Sequence, residues 1–160
     1  MSAKYILFVC TGNSCRSVMA QGLMRAVVQR AGIDSVTAES AGIFAVSGMQ
    51  PTRETLRVLQ DVGVDASPHR ARMLTSDLVD AADLICVMEQ FQLEEVVRRF
   101  PGAKDRTHLL KTYSMPNPPP DLNPNIADPI GKPLEVYEVC FSDIREAVER
   151  VARSLGVHTT

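Results

Sequence analysis

The sequence has no long hydrophobic run and no excess of charge. No apolar stretch approaches the ~20 residues that a membrane-spanning helix requires, so none is expected. The 17 Lys and Arg residues are balanced by 19 Asp and Glu residues, with a formal net charge of −2. This balance gives no reason to expect a nucleic acid or an anionic membrane as the main partner.

The sequence also lacks the cysteine patterns of disulfide-rich and zinc-binding proteins. Its cysteines form no CxxC pair, and its three histidines have no ligand spacing, so no metal site is predicted. The first predicted strand begins at about Lys4, which leaves no room for a signal peptide. A reducing cytoplasm is therefore the expected location. The four cysteines are Cys10, Cys15, Cys86 and Cys140.

Apolar runs and helical periodicities alternate along the chain. Strands are predicted at about 4–9, 36–40, 83–88 and 107–110, and helices at about 17–30, 51–62, 76–81, 90–100 and 133–155. This alternation predicts an α/β fold, a four-stranded parallel sheet with helices on both faces. A length of 160 residues and an apolar content of 45% fit a single domain over 1–160.

Two cysteines and one face of the last helix are predicted to lie in the core. Cys86 lies in the middle of the third predicted strand, and both Cys86 and Cys140 are expected to be buried core residues. The last helix is expected to face inward through residues at helical spacing, which are Val136, Val139, Cys140, Ala147, Val148, Val151 and Leu155.

The loop Cys10–Ser17 joins the first strand to the first helix. Such a turn directs several backbone N–H groups into one small space, and the helix N-terminus adds partial positive charge. Cys10 stands at its start and Gly12 within it, while the fork-shaped guanidinium of Arg16 matches phosphate oxygens. A thiol near such a helix terminus ionises readily, and Ser17 is placed to donate a hydrogen bond to the sulfur.

A thiolate in an anion-binding loop is a nucleophile directed at a tetrahedral anion, most simply a phosphoryl group. The alternative is that Cys10 is a small apolar residue that ends a core strand. The Cys-x5-Arg spacing alone is common by chance. Its position between a buried strand and a helix makes the catalytic interpretation the favoured one.

The segment 111–129 fits no regular element, because it contains six prolines. Most of it is interpreted as a surface connection stiffened by proline. Its one Asp-Pro pair, Asp128-Pro129, is the exception. Phosphoryl transfer to sulfur needs a proton on the departing atom, and a carboxylic acid at the rim of the loop could supply that proton.

The loop near the N-terminus and the late Asp128-Pro129 together resemble the low-molecular-weight protein phosphatases. Ser40-Ala41-Gly42 and Ala82-Asp83-Leu84 add to the resemblance, which covers essentially the whole chain. It implies a four-stranded parallel sheet flanked by helices, with the phosphate-binding loop after the first strand. It also implies a phosphorylated protein or peptide as substrate, no cofactor and no metal, and a monomer is favoured.

The resemblance assigns a role to each residue of the site. Cys10 would form a phosphocysteine, Arg16 would bind phosphate and the transition state, and Asp128 would protonate the leaving group and then assist water. Asn13 would hold the loop's shape, Ser17 would stabilise the thiolate, and Cys15 is either a reversible disulfide partner of Cys10 or a buried small residue. The phosphate-binding residues would be Thr11, Gly12, Asn13, Ser14, Cys15 and Ser17.

The residues expected at the rim of the loop bear on the choice of substrate. Tyrosine-specific members of this family usually carry aromatic residues after Asp-Pro, whereas Ile130 stands here; Phe44, Phe91 or Tyr113 could replace them. A threonine at position 11 resembles the bacterial branch of the family that acts on phosphoarginine. Phosphotyrosine is nevertheless the commoner substrate in the family. An arsenate reductase is disfavoured because the region that follows the third strand, 88–93, contains no cysteine. A phosphate-binding module without turnover is disfavoured because every expected catalytic residue type is present.

Overall fold

The computed structural model describes residues 2–158, and within them four strands form one parallel sheet in the order β2-β1-β3-β4. The strands are β1 (Lys4–Cys10), β2 (Val36–Gly42), β3 (Leu84–Val87) and β4 (Thr107–Leu109). The predicted α/β class and parallel sheet are therefore confirmed. Cys10 lies at the carboxyl end of β1, the edge of a parallel sheet at which ligands bind.

The central strand β1 separates two apolar cores. Its side chains alternate, so Ile6 and Phe8 pack on one face while Leu7 and Val9 pack on the other, and all four are fully buried. Both faces of this strand are covered, which explains its continuous apolar sequence.

Helices cover both faces, as predicted. The helices are α1 (Arg16–Arg30), α2 (Arg53–Gln60), α3 (Ser76–Ala81), α4 (Gln90–Arg99), α5 (Leu110–Tyr113) and α6 (Leu134–Ser154). One core includes residues of α1, α2 and α6, and the other includes residues of α3, α4 and the 3-10 helix Pro101–Arg106.

The inward face of α6 differs from the prediction at its first two turns. Val136 and Val139 are 41% and 64% exposed, so their assignment to the core is wrong. The buried stripe is rotated by about one residue and begins with Tyr137, followed by Phe141 and Ile144. The predicted burial of Cys140, Ala147, Val148 and Val151 is confirmed.

The proline-rich segment is anchored to the sheet at one residue. Ile126 is 2% exposed, and its N–H donates to the carbonyl of Met88 just after β3 over 2.9 Å. Ile126 therefore fixes the distal part of this segment two residues before Asp128.

No helix within residues 2–158 combines the length and apolarity that crossing a membrane would require.

Gly42 allows the end of β2 to approach the loop after β1. The two strands pair in register with Cys10 opposite Gly42. A Cβ atom on Gly42 would lie 2.5 Å from the carbonyl oxygen of Thr11 and 3.0 Å from the amide nitrogen of Asn13. Both contacts are with backbone, which cannot move away as a flexible side chain could.

Gly42→Ala is therefore expected to lower the free energy of unfolding by about 1–3 kcal/mol, the usual cost of overpacking. Chemical denaturation measures this, and Gly102→Ala is the matched control because its Cβ would meet no atom within 4 Å. Equal stabilities of the two variants would contradict the close approach.

Candidate active site

The loop between β1 and α1 surrounds a space bordered by free backbone donors. The amides of Gly12, Asn13, Ser14 and Cys15 donate no hydrogen bond to the described part of the chain. Unused N–H groups at a helix N-terminus form a site for an anion. The loop thus has the donor arrangement that the sequence predicts.

The sulfur of Cys10 lies inside this loop beside a hydroxyl group. Cys10 Sγ is 3.0 Å from Ser17 Oγ. The amide group of Asn13 donates to the same Oγ over 2.8 Å, so the hydroxyl proton of Ser17 is free to be donated to the sulfur. The sulfur of Cys10 therefore has a hydroxyl donor beside it within the loop.

Asn13 determines the shape of the loop. It is fully buried and has a φ of 55°, the left-handed region that Asn adopts more readily than most residues. Its side chain also donates to Ser40 Oγ over 3.0 Å and accepts from the amide of Arg72 over 3.1 Å. Ser40 in turn donates to Gln21 Oε1 over 2.8 Å.

Arg16 is a buried cation whose guanidinium group is held at one end. The residue is 1% exposed, and its Nη1 donates to the carbonyl of Ile126 over 2.6 Å and lies 3.0 Å from a carboxylate oxygen of Glu89. Its Nε is buried and has no hydrogen-bond partner among the described residues. A buried donor left in this state is satisfied when an acceptor, such as a phosphate oxygen, enters the site.

Asp128 lies at the rim of the same site. Its carboxylate is 3.7 Å from Arg16 Nη2, and its side chain is 40% exposed. The N–H of Ile130 donates to its other oxygen over 3.1 Å, which orients the group. The structure thus brings Cys10, Arg16 and Asp128 to one edge of the sheet from distant positions in the sequence.

Thr11 is held by a glutamine that the sequence analysis did not identify. Gln92 is fully buried, and its Oε1 accepts from the amides of Met88 and Glu89 over 2.8 and 2.9 Å. This fixes its orientation, so its Nε2 donates to Thr11 Oγ1 over 3.0 Å. The hydroxyl proton of Thr11 therefore remains available to another acceptor.

Phe44, one of the proposed replacements for the missing aromatic wall, is hydrogen-bonded to the loop. Its N–H donates to the carbonyl of Thr11 over 2.9 Å. Its ring is 59% exposed, and the guanidinium carbon of Arg99 lies 4.9 Å from the ring centroid. Tyr113 instead packs against His108, with ring centroids 4.5 Å apart.

All four cysteines are reduced in this structure. Cys15 Sγ lies 3.5 Å from Thr52 Oγ1 and 3.6 Å from the hydroxyl of Tyr137. Burial raises the pKa of Tyr137 to about 12, so this hydroxyl stays protonated. Burial also raises the pKa of Cys86 and of Cys140 to about 12, as expected of core thiols without a role in the chemistry.

His69 supports the loop by a contact with Asn13, and no sequence motif marks this histidine. Its Nε2 is 3.0 Å from the carbonyl oxygen of Asn13, which requires the tautomer with the proton on Nε2. Burial lowers the pKa of His69, and the nearby Arg25, Arg72 and Arg70 lower it further, while the bond to Asn13 opposes them. The folded protein therefore holds His69 in its neutral form.

This depressed pKa gives a pH dependence of defined sign. The unfolded chain binds a proton at His69 with a pKa of about 6.5, whereas the folded chain binds it less readily. The free energy of unfolding should therefore fall as the pH is lowered through about 6.5. His69→Gln should remove this contribution to the pH dependence, which is measured by denaturation at pH values from about 5.5 to about 7.5. The exposed His158 is the control, and equal effects of His69→Gln and His158→Gln would contradict the assignment.

The chain matches the family model described as low molecular weight phosphotyrosine protein phosphatase over residues 5–159. A protein-arginine-phosphatase from Geobacillus stearothermophilus is 35% identical, with 94% of this chain and 95% of that protein covered. A probable low molecular weight protein-tyrosine-phosphatase from Ralstonia nicotianae is 38% identical, with 91% and 92% covered.

Solved structures give the same result. The low molecular weight protein tyrosine phosphatase from T. tengcongensis superposes with a TM-score of 0.86 at 32% identity, covering 95% of this chain and 99% of that one. The arginine phosphatase structure from Geobacillus stearothermophilus gives a TM-score of 0.85 at 35% identity, covering 96% and 93%. The fold, the phosphate-binding loop and these matches agree, and the chain belongs to the low-molecular-weight protein phosphatase family.

Proposed function

We propose that this chain hydrolyses phosphorylated protein side chains with Cys10 as the nucleophile. The observation that carries the proposal is the combination of a sulfur at a serine hydroxyl, free loop amides, and the buried, unpartnered Nε of Arg16. Together they match the needs of a thiolate attacking a phosphoryl group whose oxygens must be held.

The first step transfers the phosphoryl group to sulfur. The thiolate of Cys10 forms the S–P bond while the bond to the leaving atom breaks, and the loop amides and Arg16 stabilise the equatorial oxygens. Asp128, protonated for this step, gives its proton to the leaving atom. In the second step Asp128 takes a proton from water, the oxygen of that water bonds to phosphorus, and the S–P bond breaks to restore the thiolate.

Cys10→Ser is expected to lower kcat for an aryl phosphate by about 10⁴-fold or more, because a serine hydroxyl does not ionise in the same loop. Turnover of a chromogenic aryl phosphate measures this, and circular dichroism shows whether the variant remains folded. Cys10→Ala, which places no nucleophile at this position, should lose as much activity as Cys10→Ser. A folded Cys10→Ser protein with near-normal activity would rule out the phosphocysteine route.

Asp128→Asn is expected to lower kcat by about 10²–10⁴-fold, the usual range for loss of a general acid. The loss should be smaller for leaving groups of low pKa, which need less protonation. A series of aryl phosphates measures the dependence, and Asp121→Asn, an exposed acid of the same segment, is the control. An equal loss for every leaving group would show that Asp128 only shapes its loop.

The substrate side chain is proposed to be phosphotyrosine, the commoner substrate in the family. Phe44 supports this, because its N–H bonds to the loop and its ring is exposed, so an aryl ester in the loop could pack against it. Phosphoarginine is the second candidate. It is favoured by Thr11, whose hydroxyl is positioned by Gln92, and by Ile130 in place of an aromatic residue. A guanidinium phosphate depends less on an aromatic wall and more on polar contacts.

Thr11→Ile tests which side chain determines this choice. Removing the hydroxyl and adding apolar volume should raise the phosphotyrosine to phosphoarginine ratio of kcat/KM by about tenfold, within the range of one pocket residue. Thr11→Val is the matched variant, because it removes the hydroxyl at nearly constant shape. Peptides carrying each phosphorylated side chain give the ratio, and an unchanged or reversed ratio would exclude Thr11 as the selecting residue.

A further inference from the structure

A cavity of about 550 Å³ lies behind the loop, and neither Cys10 nor Arg16 nor Asp128 lines it. Its walls are formed by α1, by β2 and by the segment 63–72. Its volume falls within the ~300–1,000 Å³ of sites for small organic ligands and is much larger than an inorganic ion needs. Part of the wall is apolar, with Val18, Val64, Ala66 and Pro68.

Three arginines line this cavity, Arg25, Arg70 and Arg72, together with two carboxylates, Glu39 and Asp65. Arg25 and Arg72 share the carboxylate of Glu39. Arg25 Nη2 lies 3.2 Å from Glu39 Oε1, and Arg72 Nη2 lies 2.8 Å from Glu39 Oε2. One carboxylate therefore balances two cations, which leaves an excess of positive charge in the cavity.

One of these arginines also has a hydrogen-bond donor without a partner among the described residues. The Nε of Arg25 donates to the carbonyl of Ala38, and the Nε of Arg72 donates to the carbonyl of Ser40, both over 2.9 Å. The Nη1 group of Arg25 donates to nothing within residues 2–158, whereas the side chain of Arg72 also bonds to the side chain of Tyr5. A phosphomonoester carries about two negative charges and three acceptor oxygens, enough to bridge two guanidinium groups.

The cavity wall is connected to the nucleophile by hydrogen bonds. Gln21 and Ser40, both lining residues, bond to each other over 2.8 Å, and Asn13 Nδ2 donates to Ser40 over 3.0 Å. Asn13 also donates to Ser17 over 2.8 Å, and Ser17 lies 3.0 Å from Cys10 Sγ. A ligand that moves the cavity wall therefore acts on groups that hold the sulfur.

A second connection runs through the segment 63–72. His69 lines the cavity and lies 3.0 Å from the carbonyl oxygen of Asn13, while the amide of Arg72 donates to the side chain of Asn13 over 3.1 Å. An anion placed among the arginines would weaken their field at His69. Both the backbone and the side chain of Asn13 thus depend on residues of this cavity.

We propose that this cavity binds a small organic phosphate and that its occupation changes the rate of the reaction at Cys10. The binding stands on the cavity's own geometry and charge. The effect on rate rests on the phosphatase activity proposed above, so the two are measured separately.

The binding experiment titrates the full-length protein with adenosine 5′-monophosphate by calorimetry, with excess orthovanadate to occupy the catalytic loop. Adenosine and inorganic phosphate are the comparison probes. The nucleotide is expected to bind in the presence of vanadate, and both comparison probes are expected to bind at least about tenfold more weakly, since each lacks one half of the ligand. If adenosine binds as tightly as the nucleotide, the cavity does not recognise the phosphate group. If inorganic phosphate binds as tightly, the cavity does not require the organic part of the ligand. Either result would overturn the proposal.

A matched pair of variants locates the site. Arg25→Gln with Arg70→Gln removes two cavity charges, and affinity should fall by about tenfold or more. Arg145→Gln with Arg153→Gln removes the same charge from exposed positions on α6 outside the cavity, and affinity should be retained. Equal affinity of the two double variants, or nucleotide binding that vanadate abolishes, would place the ligand in the catalytic loop and overturn the site.

The rate experiment follows an aryl phosphate with and without saturating nucleotide. A ligand in the cavity should change kcat by about fivefold or more in the protein and in the Arg145/Arg153 double variant, but not in the Arg25/Arg70 double variant. A rise in KM alone would indicate competition at the catalytic loop and overturn the effect. Absence of any turnover would contradict the proposed function, and the calorimetric result would still decide the binding site.

Discussion

The left-handed turn at Asn13 is the constraint on which the site depends. Its φ of 55° turns the chain so that the neighbouring amides remain free of internal partners. Such a conformation persists only where the surroundings hold it. Here they do so through hydrogen bonds from Asn13 to Ser17 and Ser40 and from Arg72 and His69 to Asn13. The donor geometry for an anion is thus built in before any substrate arrives.

Charge placement complements this geometry. Arg16 is buried, and an unpaired cation in that position would be strongly destabilising. Glu89 and the carbonyl of Ile126 hold one end of the guanidinium, while Nε stays unpartnered. The same carbonyl contact connects the proline-rich segment to the loop, so the residue that is proposed to bind the anion also helps to position Asp128.

The sequence predicts those parts of the molecule that follow from local pattern. The strand β1, the loop after it and the helix α1 have strong periodicity and turn chemistry, and their placement is confirmed within one residue. The predicted inward face of α6 was wrong at Val136 and Val139, because valines recur on two faces of that helix and only packing against the rest of the fold selects one. Glu89, Gln92 and His69 could not be found from pattern, since their roles arise from contacts across the fold. The sequence indicates the burial of Ile126 only weakly, because it is an apolar residue in a mostly polar segment.

The central claim is that the phosphoryl group passes through the sulfur of Cys10. Asp128→Asn should slow hydrolysis of the intermediate when the substrate has a good leaving group, so that the intermediate accumulates. The direct measurement is mass spectrometry of this variant, quenched rapidly during turnover of such an aryl phosphate. We expect one added phosphoryl group on the peptide that contains Cys10, lost again as substrate is exhausted. Turnover without any phosphorylated Cys10 peptide, or with the group on another residue, would contradict the account.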